Sequence, residues 1–378
     1  MGYIVDGFVN ASVNVSGVEL PLGPDTCRSL SIIQSVNNLT AVVEGNIVDK
    51  WGYQAISNIF SDGAPIIVTL GPGNNMGAPM KFIRFNNTEI THAYGADIIS
   101  FSGQADIPGL RNLQTKSLGN QSSSSAIQSL VSGLGINFSG DSTNDSMTWL
   151  PNNRPIGQLL RYIADHGYIS SQSSMALAMG TRGDGKFTML YKDLIGIAKS
   201  TPTARIVTRG FDQVTDIPAI VMSSRSHSGT LNSLGGYAQN LIQISHSGSV
   251  TDLSNVVVNL VNSGSLDMSS AIKSAVSSLP YIVAPIDSGN THQNFTQALY
   301  QNTRLKQTFT QFITVITDAY TNLQIMDNVK VLLYQADRLN NSVSGNYVVH
   351  GRTQHISSIY YREMITLASQ TLGVQNNN

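Results

Sequence analysis

The sequence contains a two-strand pattern that occurs twice, 266 positions apart. The later copy, residues 346–370, reads NYVVHGRTQHISSIYYREMITLASQ, and the earlier copy, residues 80–104, reads MKFIRFNNTEITHAYGADIISFSGQ. β-Branched and aromatic residues dominate both copies, and apolar and polar residues alternate as they do in half-buried strands. Each copy therefore predicts an antiparallel hairpin, and in the later copy we place the turn at residues 355–358.

The two copies align without a gap, and the segment before them also recurs. DGAPIIVTL, from Asp62, parallels DNVKVLLY, from Asp327, with a one-residue adjustment. Any two hairpins share alternation, so chance similarity is the alternative to a β module that is used twice. The aligned identities are Ile90 with Ile356, Tyr94 with Tyr360, Ile99 with Ile365 and Gln104 with Gln370.

Alternation also predicts which side chains share a face in the later copy. The predicted face of its first strand is Tyr347, Val349, Gly351 and Thr353. The predicted face of its second strand is Tyr361, Glu363, Ile365 and Leu367.

Residues 9–104 show an almost wholly β pattern. Alternating or apolar runs at 9–15, 30–33, 39–43 and 66–70 are separated by the turn formers Gly17, Gly45-Asn46 and Asp62-Gly63. Short strands at this spacing indicate a barrel or a sandwich. The glycine-rich segment 71–79 lacks a following Lys-Ser/Thr and opens no helix, so it does not predict a phosphate-binding loop.

Helical spacing appears between residues 105 and 200. It predicts one helix over 122–136, behind serines that are suited to N-capping, and a second over 155–166, with Pro155 in its first turn and Gly167 at its end. Strands are predicted at 175–179 and 187–191, joined by an Asp184-Gly185 turn. Arg182-Gly183-Asp184 is interpreted as part of this turn and not as an integrin ligand.

The third part of the chain begins near Thr201. Strands are predicted at 220–225, 241–246 and 309–317, and helices at 254–261, 269–279 and 295–307. These patterns predict three domains: a first β-barrel module at 1–115, an inserted α+β domain at 116–200, and a second β-barrel module at 201–378 with a helical insertion at about 250–308. The predicted fold class is mainly β with α/β insertions.

Charged residues make up only 12% of the chain, about half of the usual fraction of roughly 25%. A surface so poor in charge suggests coverage by partner subunits, although an ordinary uncharged surface is the alternative. The formal net charge of −1 and the lack of a Lys/Arg cluster argue against a nucleic-acid-binding face. No signal peptide and no apolar run of membrane-spanning length is present, so no membrane anchor is expected.

No motif in the sequence predicts catalysis, a cofactor or a metal. Cys27 is the only cysteine, which excludes an internal disulfide, and we expect a buried structural thiol. His350 and His355 are an odd number of positions apart and so should lie on opposite faces of one strand; His355 is interpreted as a hydrogen-bonding residue of the turn. There is no H-E-x-x-H and no G-x-S-x-G, and no acid pair stands out.

Three segments in order resemble the baseplate hub proteins of contractile-tailed bacteriophages and, more distantly, the hub part of type VI secretion spike proteins. They are ADIPGLRNLQTKSLGNQSSSSAIQSLVSGLGI, RPIGQLLRYIADHGYI, and the end, FITVITDAYTNLQIMDNVKVLL followed by SGNYVVHGRTQHISSIYYREMITLASQ. The resemblance covers most of the chain, and it rests on shape and polarity, not on catalytic residues. It implies two tail-tube-like β-barrel modules in one chain.

The resemblance implies a structural virion protein with no enzymatic activity. Its expected form is a homotrimer that adapts the hexameric tail tube, or a tube-initiator protein, to the trimeric central spike. Other baseplate proteins would surround it, and the tape measure protein or DNA would occupy its lumen only. Its expected location is the tail baseplate of the virion, after assembly in the host cytoplasm.

Two other classes stay open at this point. A tail-tube-like or other β-structured virion protein would have the same composition, but it would form hexamers and would need one barrel. A peptidoglycan hydrolase would require a cleft with perturbed carboxylates or histidines.

Overall fold

The computed structural model describes residues 9–369, apart from 21, 23–24, 73–76, 78, 85–88, 94, 183–185, 209–215, 227–239, 246–249, 253–280, 287–290, 296–297, 299–300, 302–304, 306–307, 336–337 and 358–359. The first module contains β1 (Val9–Val15), β2 (Val18–Leu20), β3 (Cys27–Ser35), β4 (Val42–Asp49), α1 (Tyr53–Ser57), β5 (Pro65–Pro72), β6 (Met80–Arg84), β7 (Glu89–Ala93) and β8 (Ala96–Ala105).

The inserted domain follows a 3-10 turn at Pro108–Arg111. It contains β9 (Leu113–Gln114), β10 (Asn120–Ser122), α2 (Ser123–Gly133), β11 (Asn137–Gly140), β12 (Ser146–Thr148), β13 (Arg154–Pro155), α3 (Ile156–Asp165), β14 (Met175–Thr181), β15 (Phe187–Asp193) and α4 (Leu194–Lys199).

The rest of the chain is again mostly β. It contains β16 (Ala204–Val207), β17 (Asp216–Pro218), β18 (Ile220–Ser226), β19 (Asn240–Ser245), β20 (Val250–Asp252), β21 (Tyr281–Ile286), β22 (Gln311–Thr317), β23 (Asn328–Leu332), β24 (Tyr334–Gln335), β25 (Arg338–Leu339), β26 (Gly345–Ser357) and β27 (Tyr361–Ser369). The predicted mainly β architecture with a small α+β part is therefore confirmed.

The two modules have the same strand order. Neighbouring strands run β3-β4-β8-β6-β5-β1-β2 in the first module and β18-β22-β27-β26-β23-β16-β17 in the second. Corresponding strands also occur in the same chain order, and the first five strands of both series are antiparallel. The sixth strand of the series differs in direction between the modules: β16 is parallel to β23, whereas β1 is antiparallel to β5. This topology supports the predicted duplication.

A bulge recurs at the same place in both modules. In β3 the register shifts between Cys27, opposite Ile47, and Ser29. In β18 it shifts between Val221, opposite Val315, and Ser223. A bulge interrupts the ladder at one residue and increases the local twist, so its recurrence at one register position is a specific sign of common architecture.

The gapless alignment of the two hairpins is correct for their second strands only. Ile99 of β8 and Ile365 of β27 are both fully buried. Ile90 lies opposite Ile99, whereas the residue opposite Ile365 is Arg352 and not Ile356. The reason is the turn: Ala93 pairs directly with Ala96, whereas the last pair of the later hairpin is Ile356 with Tyr361. The later connection is therefore longer, and it begins two residues after the predicted start of the turn at His355.

The buried apolar side chains of the described residues form two hydrophobic cores. The first joins the inner face of β1 to β8 with the helices α2 and α3 of the inserted domain. The second lies inside the second module and includes Ala178, Leu190 and Leu194 of the inserted domain. The inserted domain therefore packs on both modules. The predicted boundaries at 115 and 200 stay a prediction.

Both predicted helices of the inserted domain are present. The Ser122 side chain accepts a hydrogen bond from the Ser125 N–H and caps α2. Pro155 immediately precedes α3, whose C-terminal residue is followed by His166 and Gly167. β14 and β15 pair as a hairpin; its predicted turn at residues 184–185 lies outside the described residues.

The third part also agrees with most of its predicted elements. β18, β19 and β22 lie at the predicted strands, and the described positions between Phe295 and Thr308 are helical. The helices predicted at 254–261 and 269–279 lie outside the described residues. β21 was not predicted, and it pairs in parallel with β19.

The predicted turn at Gly45-Asn46 is wrong, because both residues lie inside β4. β4 begins at Val42, so the strand predicted at 39–43 also starts too early. Gly45 is needed for packing: the ring of Phe101 lies where a side chain at Gly45 would begin. That ring is buried and is 5.3 Å from the ring of Phe60, centroid to centroid.

We expect Gly45→Ala to lower the free energy of unfolding by about 1–3 kcal/mol, because the new methyl group must displace the Phe101 ring from a packed core. Guanidinium denaturation measures the loss. Gly133→Ala is the control: a methyl group there meets no atom within 4 Å, so stability should stay unchanged or rise. Equal stability of the Gly45→Ala and wild-type proteins would contradict this explanation.

Candidate assembly surface

The two modules join through backbone hydrogen bonds between β3 and β26. The pairing is antiparallel and runs from Gly351 opposite Ser35 to Ser357 opposite Ser29. Beside it, His355 Nδ1 lies 2.9 Å from Ser31 Oγ. Because β26 pairs with β27 along its other edge, this junction makes one continuous sheet from the two modules.

Behind this junction lies an ion pair that is almost completely buried. Arg352 is 1% exposed and Glu363 is 0% exposed. The guanidinium donates to the Glu363 carboxylate through Nη2, at 2.8 Å, and through Nε, at 3.2 Å. Such a pair compensates for its desolvation only when the remaining polar atoms are also hydrogen-bonded.

Those remaining atoms have partners from other segments. The Thr321 N–H and hydroxyl donate to the two oxygens of Glu363, at 3.0 and 2.6 Å, and the Tyr361 hydroxyl donates to the same carboxylate. Arg352 Nη2 also donates to the Thr321 carbonyl at 2.9 Å, and Gln354 donates to the Tyr361 hydroxyl at 3.0 Å. The ion pair thus fixes the 318–327 loop against β26 and β27.

The same network reaches the other two parts of the chain. Arg352 Nη1 donates to the carbonyl of Thr181, at the end of β14, over 3.4 Å. Gln34 of β3 donates to the Thr181 hydroxyl at 2.7 Å and accepts from its N–H at 3.0 Å. Hydrogen bonds therefore connect the first module, the inserted domain and the second module around Arg352.

The ionised state of Arg352 is favoured in this site. Burial by itself would lower the pKa of the guanidinium, but the adjacent Glu363 carboxylate raises it above its usual value. Burial, followed by the Glu363 charge, raises the pKa of the Tyr361 hydroxyl well above its usual value. Both groups therefore keep their protons, and each acts as a hydrogen-bond donor to Glu363.

Sequence alternation missed this site because of a bulge in β26. The register shifts between Val349 and Gly351, so the buried positions change from Tyr347 and Val349 to Arg352, Gln354 and Ile356. The predicted face of the first strand is therefore wrong from Gly351 onward. The predicted face of β27 is confirmed, and it brings Glu363 to the same interior.

The outer face of the shared sheet presents a row without a charged side chain. Successive strand pairs connect one residue from each of eight strands, from β18 at one end to β6 at the other. Ile220 is 74% and Met364 is 39% exposed. We call this set the outer row: Ile220, Ile316, Met364, Thr353, Ile33, Val42, Gln104 and Ile83. A surface of this composition suits contact with another protein.

A cleft of 490 Å³ begins where the outer row ends. Its lining includes Ile83 and Gln104 of the first module, Leu110 and Arg111 of the 3-10 turn, and Arg161 of α3. Of the described residues that line it, Asp106 is the only acid. The described lining of the cleft therefore lacks the carboxylate pair that glycoside hydrolysis ordinarily requires.

Asp193 and Asp165 of the inserted domain have raised pKa values, and Asp145 is buried among hydrogen-bond donors. Burial raises the pKa of Asp193, which caps α4 and accepts from the N–H groups of Ser174 and Ile195 at 2.8 and 3.2 Å. Burial also raises the pKa of Asp165, near the end of α3. Asp145, 4% exposed, accepts four hydrogen bonds from Ser123, Thr143 and Tyr168. These contacts serve local structure.

The histidines in the two modules have individual structural contacts. His355 lies inside β26 and not in a turn, although its predicted hydrogen bonding is confirmed. The odd spacing of His350 and His355 predicted opposite faces of one strand, but the bulge between Val349 and Gly351 shifts the alternation, so that prediction no longer follows. The His350 ring packs edge-on against Phe312. His92 is 2.8 Å from Asp97. Within the described part of the chain, no group of three His, Cys, Asp or Glu side chains is placed to hold a metal.

His166 of the inserted domain lies close to His292 of the third part of the chain. His292 Nε2 donates to the His166 carbonyl at 2.9 Å, and the His166 ring lies between Tyr162 and Phe295. Burial lowers the pKa of His166. This packing, with hydrogen bonds from the Gln301 side chain to the carbonyls of Ala164 and Asp165, attaches His292, Phe295 and Gln301 to the end of α3. His227 and His246 are outside the described residues.

Cys27 is buried at the base of β3, and burial raises the pKa of its thiol to about 11. The prediction of a buried thiol is therefore confirmed.

Arg182 donates to both carboxylate oxygens of Asp327 at 3.0 and 3.1 Å. The following Gly183-Asp184 lies outside the described residues. None of the described helices combines the length and the apolar character needed to cross a bilayer.

Comparisons with known proteins gave structural matches only. No family model matches the sequence, and no curated protein matches it. The 43 kDa tail protein of the MuSo2 prophage from Shewanella oneidensis superposes with a TM-score of 0.58 and 9% identity, over 96% of this chain and 99% of that one. A tail protein from Neisseria meningitidis MC58 gives 0.56 and 13% identity, over 97% and 98%.

A third structure is reported as a component of the type VI secretion system of E. coli with structural similarity to phage T4 tail proteins. It superposes with a TM-score of 0.49 and 8% identity, over 97% of this chain and 79% of that one. The first two matches cover nearly the full length of both chains, including the two modules and the inserted domain. The chain therefore has the fold of bacteriophage tail proteins, and the predicted resemblance is confirmed at the level of the fold.

Proposed function

We propose that this protein is a structural component of the virion, a trimeric hub of the tail baseplate. The observation that carries the proposal is the duplication: two modules of equal strand order lie side by side in one chain and share a sheet. Three such chains in a ring would present six similar modules. The fold shared with phage tail proteins supports the same reading.

This arrangement would resolve a mismatch of symmetry. A hexameric tail tube, or a tube-initiator protein, would meet six near-equivalent modules on one side. On the opposite side the true threefold axis would match a trimeric central spike. Other baseplate proteins would cover the outside, and the lumen would hold the tape measure protein or DNA. The protein would assemble in the host cytoplasm and would act in the tail baseplate.

We propose that the protein is not an enzyme. The Asp193 carboxylate, whose pKa is raised, accepts from backbone N–H groups, Asp165 lies near the Arg161 charge, and the described lining of the cleft near the outer row contains a single acid. Purified protein should therefore release no soluble product from peptidoglycan. Hydrolysis that is lost on substitution of one acid would contradict this.

Symmetry tests the hub directly. We expect the mass of the purified protein in solution to equal three chains, and averaged particle images to show a threefold ring with six peripheral lobes. A true hexamer would contradict the hub and would indicate a tail-tube protein. A protein that stays monomeric would contradict a ring that assembles by itself.

A further inference from the structure

The junction inside the chain indicates where its neighbour should bind. In the first module, the outer edge of β3 pairs with β26 of the second module. The strand that corresponds to β3 in the second module is β18, which shares its bulge and its place in the strand order. Among the described residues, the only strand that pairs with β18 is β22. The other edge of β18 corresponds to the edge by which β3 binds β26, and in the described part of the chain no strand pairs with it.

The opposite end of the chain shows the complementary edge. The first half of β26 pairs with β23, and its second half pairs with β3. In the first module, β6 corresponds to the first half and pairs with β5, whereas β7 corresponds to the second half. In the described part of the chain, β7 pairs with β8 alone. It therefore offers the edge that β26 uses to bind β3.

We infer that β18 of one subunit pairs antiparallel with β7 of the next subunit, and that this contact repeats the internal β3 to β26 junction. The inference rests on the proposed ring and specifies how the ring closes. A head-to-tail contact of this kind closes into a trimer when the rotation at the internal junction and the rotation between subunits add up to one third of a full turn. An open edge strand is a ready template for such pairing.

The correspondence also gives the register. Ser31 pairs with His355 at the internal junction. The bulge gives the first correspondence: Ser31 lies two residues after Ser29, the first paired residue beyond the bulge in β3, and Arg225 lies two residues after Ser223, the first paired residue beyond the bulge in β18. The hairpin pairs give the second: His355 pairs three residues before Ile365, and Ala93 pairs three residues before the equivalent Ile99. Arg225 of one subunit should therefore lie opposite Ala93 of its neighbour.

Cysteine cross-linking tests this register. The native Cys27 is buried, so introduced cysteines would supply the accessible thiols. Directly opposed residues of antiparallel strands have Cα atoms about 4.5–5.5 Å apart, which a disulfide can span. We expect the Arg225→Cys/Ala93→Cys protein, after mild oxidation, to give covalent dimers and trimers on non-reducing gels and no larger species.

Two matched variants serve as controls. Arg225→Cys/Glu89→Cys is out of register by four residues, roughly 13 Å along a strand, and should form few intermolecular links. Ser31→Cys/His355→Cys is the equivalent pair inside one subunit, and it should form a disulfide that leaves the chain at monomer size. The internal pair shows whether this geometry permits a bond.

The outcomes separate the junction from the hub. Threefold rings in particle images, with an internal disulfide but no Arg225→Cys/Ala93→Cys link, would overturn the inferred junction and leave the proposed function intact. Efficient linking by the out-of-register pair instead would also overturn it. An absence of both rings and links would overturn the junction and the ring together.

Discussion

Replacing Arg352 with alanine will lower the free energy of unfolding of the second module by about 3–5 kcal/mol, because the Glu363 carboxylate is then left buried without its counter-charge. Glu363 is fully buried, so water cannot replace the lost guanidinium without opening the core. The Thr181 and Thr321 carbonyls lose a donor at the same time. Guanidinium denaturation with hydrogen exchange of residues 345–369 measures the loss.

Two further variants make this test specific. Arg352→Met/Glu363→Gln removes both charges but keeps an acceptor oxygen near Thr321 and Tyr361, so it should lose less stability than Arg352→Ala. Arg362→Ala removes a neighbouring arginine that is paired with Asp318 at 3.0 Å on the surface, and it should cost no more than about 1 kcal/mol. Equal losses for Arg352→Ala and Arg362→Ala would show that the buried ion pair is not the stabilising feature.

Replacing Trp149 with alanine should destabilise the inserted domain by about 3–5 kcal/mol, as expected when a large aromatic side chain is removed from a core. Trp149 is fully buried. Its indole N–H donates to the Gln121 carbonyl at 2.9 Å, and its ring stands edge-on to Tyr162, with centroids 6.4 Å apart. It thereby connects β10 with α3.

Hydrogen exchange of residues 106–200 measures this loss within a chain whose parts need not unfold together. Trp51 provides the control, since it is 41% exposed and its replacement by alanine should change stability little. The two tryptophans also differ in fluorescence, because only the buried one should red-shift on unfolding. Unchanged protection of α2 and α3 in Trp149→Ala would contradict its structural role.

Local patterns in the sequence were sufficient for most of the elements. Alternation with a period of two is a property of a few adjacent residues, so it identified β1, β5, β22 and β27 without knowledge of their partners. Helical spacing and capping residues did the same for α2 and α3. The repeat across 266 positions added one long-range fact, the existence of a second module.

The site at the junction depended on contacts that no local pattern encodes. Gly45-Asn46 is a pair of residues typical of turns, but glycine is needed at position 45 because the ring of Phe101, 56 positions later, covers its backbone. Likewise, the bulge before Gly351 has no clear sequence signature, yet it changes which side of β26 faces the core.

By itself, the sequence determined most of the strands, the two helices of the inserted domain and the repeated hairpin pattern, because these follow from periodicity and caps within short segments. Only the tertiary structure decided that Arg352 and Glu363 are buried together and that β3 pairs with β26. A buried charge is tolerable only when its partners arrive from β27, the 318–327 loop and β14. Their approach depends on the packing of the whole chain.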